Sequence, residues 1–95
     1  MRFQFVALRK KNAFILKGRL EMVKTIYLTP SDVRHFISVT TKCDFDIDIS
    51  YNRYIVDAKS FLGVYGLNFQ KPLKVSYNGY NAELEELLQK LSIAS

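Results

Sequence analysis

Hydrophobic and polar residues alternate in several short stretches of the chain, and this period of two predicts β-strands. Four stretches follow it: residues 23–28, 45–50, 54–57 and 73–77. In the second of them, Asp46 and Asp48 take the polar positions between Phe45, Ile47 and Ile49. That strand is therefore expected to bury one face and to present a strongly acidic face to solvent.

Two other segments have the period of an amphipathic helix. The first begins at Thr29, a good N-cap residue, continues with Pro30 at the first helical position and runs to about Thr41. Its hydrophobic stripe consists of Val33, Phe36, Ile37 and Thr40. The last helix begins after the cap residue Asn81, and its stripe consists of Leu84, Leu87, Leu88 and Leu91. Glu83, Glu85 and Glu86 are expected to form a solvated first turn of this helix.

A third, shorter helix of about two turns is predicted after Lys59 and Ser60. It carries the apolar residues Phe61, Leu62, Val64, Tyr65 and Leu67. Gly63 and Gly66 weaken it by about 1 kcal/mol each, so tertiary packing must hold it in place. The order from residue 23 is therefore β-α-β-β-α-β-α, which predicts an α+β domain with a four-stranded sheet and three helices on one face.

Length and composition are those of one domain, because 95 residues with 48% hydrophobic side chains close a single modest core. The net charge of +5 comes entirely from residues 1–21, which hold six basic residues and one acidic residue, Glu21. Residues 22–95 hold eight of each sign. This balanced part has no electrostatic footprint for nucleic acid, and no apolar run approaches the ~20 residues of a membrane span.

Residues 1–21 have two interpretations. In one, they are a basic extension or leader in front of a domain formed by residues 22–95. In the other, they form a β-hairpin, with strands at residues 3–8 and 13–16 around the polar turn at residues 9–12. The segment lacks the pattern of a secretory signal.

Residues with the chemistry for catalysis or metal binding are scarce. Cys43 is the only cysteine, so an intrachain disulfide is excluded and a reducing compartment is expected. It lies beside acidic residues, which disfavour a reactive thiolate. His35, the only histidine, is expected on the exposed side of the first helix. Asp44, Asp46 and Asp48 have no second ligand cluster. We therefore expect no enzymatic activity, no cofactor and no metal.

Residues 44–67, reading DFDIDISYNRYIVDAKSFLGVYGL, resemble the central segment of HPr, the histidine-containing phosphocarrier of the bacterial phosphotransferase sugar-uptake system. A strand, a Tyr-Asn turn, a second strand, Lys-Ser, two large apolar residues and Gly-Val follow in the order of that family. The resemblance extends more weakly over residues 23–91. It implies the HPr-like open-faced β-sandwich.

The resemblance places the family's phosphoryl-accepting histidine at Thr29 of this chain. The arginine of the same motif is replaced by Ser31, and Asp32 stands where an incoming phosphate would be repelled. Phosphoryl carriage needs a nitrogen nucleophile, a helix start and a nearby cation. Only the helix start is retained.

Two other features of the family are retained. Ser60 corresponds to the serine that a dedicated kinase phosphorylates, although a helix N-cap is the simpler role for it. Phe61, Leu62 and Tyr65 correspond to the apolar surface through which HPr-like proteins engage enzymes and regulators, although they could instead belong to the core.

The leading hypothesis is a cytoplasmic, HPr-like regulatory docking module. Its expected partners are phosphotransferase-system enzymes, a serine kinase or a transcription regulator, and it is expected to be a monomer or weak homodimer without affinity for nucleic acid or membranes. Alternatives are a residual phosphocarrier and a nucleic-acid binder that uses the basic extension with Phe3, Phe5 and Phe14 for stacking. A last alternative is a structural domain whose extension pairs with a neighbour's sheet edge.

Overall fold

The computed structural model describes the backbone of residues 6–7, 13–16 and 19–92, and the side chains of residues 21–92. Within these residues the strands are β1 (Val6–Ala7), β2 (Ala13–Leu16), β3 (Arg19–Ile26), β4 (Ile47–Tyr51), β5 (Tyr54–Asp57) and β6 (Leu73–Tyr77). The helices are α1 (Val33–Thr40), which continues a 3-10 turn at Pro30–Asp32, α2 (Phe61–Tyr65) and α3 (Ala82–Leu91).

All the strands belong to one antiparallel sheet in the order β1-β2-β3-β6-β4-β5. The four predicted strands form its β3-β6-β4-β5 part, so the α+β class and the antiparallel four-stranded unit are confirmed. The whole sheet is nevertheless wider than predicted, because β1 and β2 add two strands beside β3. Strand β6 is inserted between β3 and β4 although it is the last strand in the sequence.

The core lies on one side of this sheet. Alternate residues of β4 and β6 are buried there, whereas Asp48 and Lys74 between them are exposed. The buried residues of the strands are Ile26, Ile47, Ile49, Leu73, Val75 and Tyr77, and those of the helices are Val33, Phe36, Val39, Thr40, Val64, Leu84 and Leu88. Since all three helices contribute to this single cluster, they pack on the same face.

Most predicted boundaries agree with the structure, and the differences have local causes. The first predicted strand, residues 23–28, ends at Ile26 because the chain turns toward the helix before Thr29. Phe45 lies outside β4, since its ring stacks on Tyr77 with centroids 5.9 Å apart and fills the space beside Gly79. Helix α2 has five residues rather than two full turns.

Residues 1–21 are only partly described. Of the predicted hairpin, Val6 pairs with Ile15 and Ala7 with Phe14, while residues 1–5 and the turn at residues 8–12 lie outside the described residues. Strand β2 in turn pairs with β3. The alternative of a leader in front of residue 22 is not tested by this pairing and stays a prediction.

Helix α3 is attached to the sheet by a polar contact at the edge of the core. Glu85 accepts a hydrogen bond of 2.6 Å from the Tyr77 hydroxyl and one of 3.0 Å from the Lys24 ammonium. Burial, reinforced by the hydrogen bond to Glu85, raises the pKa of Tyr77 well above its ordinary value, which keeps the hydroxyl protonated as a donor. The prediction that Glu85 belongs to a solvated turn was therefore wrong: it is half-buried and joins α3 to β3 and β6.

No helix among the described residues is long and apolar enough to cross a membrane.

We predict that Tyr77→Phe lowers the free energy of unfolding by about 1 to 2 kcal/mol, because it removes a half-buried hydrogen bond to a charged acceptor while keeping the ring. Urea unfolding followed by circular dichroism measures this change. The matched control is Tyr80→Phe, since Tyr80 is 75% exposed and its change should lie within about 0.5 kcal/mol of zero. Equal stabilities of the two variants would contradict the role given to Tyr77.

Candidate functional site

Ser60 lies at the N-cap of α2, with extended backbone angles, and its Oγ accepts a hydrogen bond of 3.2 Å from the amide of Gly63. The cap follows from the sequence, because a serine directly before an apolar helical run satisfies one of the free amides of the first turn. The side chain is half-buried. The hydroxyl thus points at the first amides of the helix, in the geometry of a cap.

Phe61, Leu62 and Tyr65 are exposed on α2, and we call these three residues the α2 patch. Leu62 is 86% exposed, the most exposed of the large hydrophobic residues in the described part of the chain. The rings of Phe61 and Tyr65 are in contact, with centroids 5.3 Å apart. Because the two rings support each other, the α2 patch presents an ordered aromatic surface to solvent.

Helix α2 exposes these three residues because its opposite side packs against the core and strand β5. Val64 is fully buried, and Leu67 just after the helix is buried with it. Gly63 lies so close to β5 that an added Cβ would come within 3.2 Å of the Cβ of Val56. A five-residue helix with one buried face cannot also bury the α2 patch.

A small apolar cavity of about 200 Å³ lies between β5 and α2. Tyr54, Val56, Gly66 and Leu67 contribute to its walls. Sequence reasoning missed this cavity, because it arises only when the β4-β5 turn and α2 come together in space. Its walls join α2 to strand β5.

The segment that precedes α2 is fastened to the end of α1. The Thr40 hydroxyl donates a 2.9 Å hydrogen bond to the carbonyl of Ala58, and the Lys59 ammonium donates one of 2.8 Å to the carbonyl of Cys43. The Lys59 ammonium is therefore held just after the C-terminal end of α1 rather than at the neighbouring Ser60.

At the start of α1, Thr29 occupies the predicted N-cap position, but both its hydroxyl and its amide act as hydrogen-bond donors. The hydroxyl and the amide of Thr29 both donate to Oδ2 of Asp32, each at 2.9 Å, and the Thr29 hydroxyl also lies 2.9 Å from that of Ser31. A carboxylate therefore sits beside the hydroxyl, a neighbour that sequence reasoning had not assigned to Thr29. Threonine, serine and aspartate are the three side chains at this helix start.

The other two titratable candidates lie apart from these positions. His35 is exposed on α1, as predicted, and its backbone carbonyl accepts a hydrogen bond from the hydroxyl of Ser38. Cys43 is buried and its thiol contacts the carbonyl of Val39 at 3.5 Å. Burial raises the pKa of the Cys43 thiol, with Lys59 opposing the shift and Asp44 adding to it, which disfavours the reactive thiolate.

Carboxylates do not converge on a metal site in the part of the chain with described side chains, where no group of three or more His, Cys, Asp or Glu residues is arranged to hold an ion. Glu83 pairs instead with Lys42 at 3.5 Å.

Comparisons with known proteins add no relative: no protein-family model, curated protein or solved structure matches the chain. The resemblance to HPr therefore rests on the residues of this chain alone.

We predict that Ser60→Ala lowers the free energy of unfolding by about 1 kcal/mol, because it removes the acceptor for the Gly63 amide. Ser60→Asp should stay within about 0.5 kcal/mol of the wild type, since aspartate is an equally good N-cap. Urea unfolding measures both. Ser38→Ala, in the exposed interior of α1, is the matched control and should not destabilise the protein. A Ser60→Ala variant as stable as the wild type would argue against the cap.

Proposed function

We propose that this protein is an HPr-like regulatory docking module of the bacterial phosphotransferase system, without phosphoryl carriage and with Ser60 as its phosphorylation site. The single observation that carries the proposal is the position of Ser60 at the cap of α2, directly before the exposed α2 patch. The order β-α-β-β-α-β-α from β3 to α3, with the helices on one face of the sheet, supports the open-faced HPr-like arrangement. The proposed location is the bacterial cytoplasm, where the system's enzymes act.

A phosphate on Ser60 would change the docking surface without a large change of fold. Its oxygens would lie near the Gly63 amide that now binds the hydroxyl, and a dianion at the amino end of a helix is stabilised by the free amides there. The same charge would stand next to Phe61 and Leu62. Phosphorylation of Ser60 would then distinguish two kinds of partner: those that bind an apolar surface and those that carry a complementary cation.

The absence of phosphoryl carriage is supported by the helix start. Relay of a phosphoryl group needs an imidazole nitrogen, whereas Thr29 offers a hydroxyl that already donates to Asp32. The negative charge of Asp32 also opposes the approach of a phosphate. A residual phosphocarrier is therefore the weaker candidate.

Nucleic-acid binding through residues 1–21 stays an alternative from sequence. Its stacking candidates Phe3 and Phe5 lie outside the described residues, and only the backbone of Phe14 is described. No described side chain supports this nucleic-acid-binding alternative.

We expect the HPr serine kinase with ATP to label the protein at Ser60, and the phosphoenolpyruvate-dependent first enzyme of the system to leave it unlabelled. Mass spectrometry after each incubation locates the label, and Ser60→Ala is the control that should abolish it. Label on His35 or Thr29 from the first enzyme would refute the regulatory assignment. Absence of kinase label on Ser60 would remove the switch while leaving the α2 patch to be tested separately.

We also expect Phe61→Asp and Leu62→Asp each to weaken binding of the purified kinase or transcription regulator by at least about tenfold, because a charge is placed in the apolar centre of the contact. Isothermal titration calorimetry measures the loss. The control is Tyr80→Asp, an equally drastic change at an exposed position outside α2. If the Tyr80 variant loses as much affinity as the two patch variants, the α2 patch is not the docking surface.

A further inference from the structure

Strand β5 forms a free edge of the sheet, because β4 is its only neighbour within the described strands. Ala58, directly after β5, donates a backbone hydrogen bond of 2.8 Å to the carbonyl of Ile47. Backbone groups of an antiparallel strand point alternately to its two sides, so those of Val56 also face β4, whereas those of Ile55 and Asp57 face outward. The outer side of β5 is therefore available to a further strand.

Ile55 is the open position of this edge. The carbonyl of Asp57 is already engaged, because it accepts a 2.9 Å hydrogen bond from the amide of Ser60. The amide and the carbonyl of Ile55 have no partner among the described residues, and its side chain is 68% exposed. Positions 54–56 hold no proline and no charged residue, so the centre of β5 lacks the features with which edge strands avoid pairing.

The two ends of β5 carry opposite charges. Arg53 directly precedes the strand, Asp57 is its last residue, and both are exposed. Neither of them has an ion-pair partner among the residues with described side chains. Asp57 lies opposite Asp48 of β4, a like-charge pair that a cation beside Asp57 would relieve. Arg53 and Asp57 are each two positions from Ile55, which places them on the same face of the sheet.

We propose that two copies of the protein pair through their β5 strands, which run antiparallel and are centred on Ile55. In this register the amide of each Ile55 donates to the carbonyl of the other, and the two isoleucine side chains meet. Arg53 of each copy then lies opposite Asp57 of the other, so the contact contains two pairs of opposite charge. Tyr54 lies opposite Val56, a favourable pair of an aromatic and a β-branched residue.

The second copy is identified as the occupant by this self-complementarity of the edge. Antiparallel pairing centred on Asp57 would bring two carboxylates together, whereas pairing centred on Ile55 brings each carboxylate to an arginine. The same surface is used by both copies, so the contact is isologous and association ends at the dimer. The sequence led us to expect a monomer or a weak homodimer, and the proposal assigns a contact to the second of these. It does not rest on the proposed function, because it uses neither the Ser60 side chain nor the α2 patch.

Sedimentation velocity of the full chain tests the dimer. Between about 10 µM and about 1 mM protein, the sedimentation coefficient should rise with concentration to the value of a dimer and then stay constant. A protein that remains monomeric over this range, or that grows beyond a dimer, overturns the proposal.

A proline at position 55 tests the backbone pairing. Ile55→Pro removes the outward amide but no hydrogen bond to β4, a position at which an edge strand tolerates proline. Dimerisation should weaken at least about tenfold. Ile55→Leu is the matched control, because it keeps both the amide and the apolar side chain and should dimerise like the wild type. Circular dichroism checks that both variants are folded, and a folded proline variant that dimerises like the wild type overturns the proposal.

A charge exchange tests the register independently of that proline. Arg53→Asp and Asp57→Arg should each weaken dimerisation at least about fivefold, because both symmetry-related pairs become repulsive. The double variant Arg53→Asp/Asp57→Arg should dimerise like the wild type, since opposite charges face each other again and the net charge is that of the wild type.

The matched control for the charge exchange is Arg34→Asp, at an exposed position of α1. It changes the net charge as much as Arg53→Asp and should dimerise like the wild type. If it weakens dimerisation as much as Arg53→Asp, or if the double variant does not regain dimerisation, net charge rather than the β5 edge controls association and the proposal fails.

Discussion

Strand β6 makes the contacts on which the rest of the structure depends. It pairs along its whole length with β3 on one side and lies against β4 on the other, so it joins the two halves of the chain. Its residues Leu73, Val75 and Tyr77 are buried beneath the helices, while Lys74 points to the open face. Without this insertion, β3 would have no partner among the later strands, and α1 and α3 would have no common surface to cover.

One-sided packing on β6 also explains where the candidate site residues lie. Once Val64 has filled the place of α2 in the core, no buried position remains for Phe61, Leu62 and Tyr65. No described helix covers the opposite face of the sheet, and there the alternation of β4 places Asp48 in solvent. The apolar α2 patch and the exposed Asp48 therefore arise from the same constraint, on opposite faces of one sheet.

Short sequence patterns correctly predicted the features that depend on interactions between residues close together in the sequence. The bounds of β5 and β6 and the caps at Ser60 and Asn81 were read correctly, because alternation and cap chemistry depend on neighbouring residues. Glu85 was misassigned because its partner Lys24 is 61 residues away in sequence. The cavity beside α2 was missed for the same reason. No sequence period reports which strands become neighbours, so contacts across the sheet had to come from the structure.

The start of α1 shows how a helix terminus can be closed to an external anion by a carboxylate of its own first turn. A phosphate needs free N–H and O–H donors at such a terminus. Here the amide and the hydroxyl of Thr29 both donate to the carboxylate of Asp32, so an internal anion already occupies these two donors. Under the proposed function, the missing imidazole would therefore be only part of the difference from a phosphocarrier. Even a histidine at position 29 would face the charge of Asp32, because that carboxylate would still accept from the backbone amide.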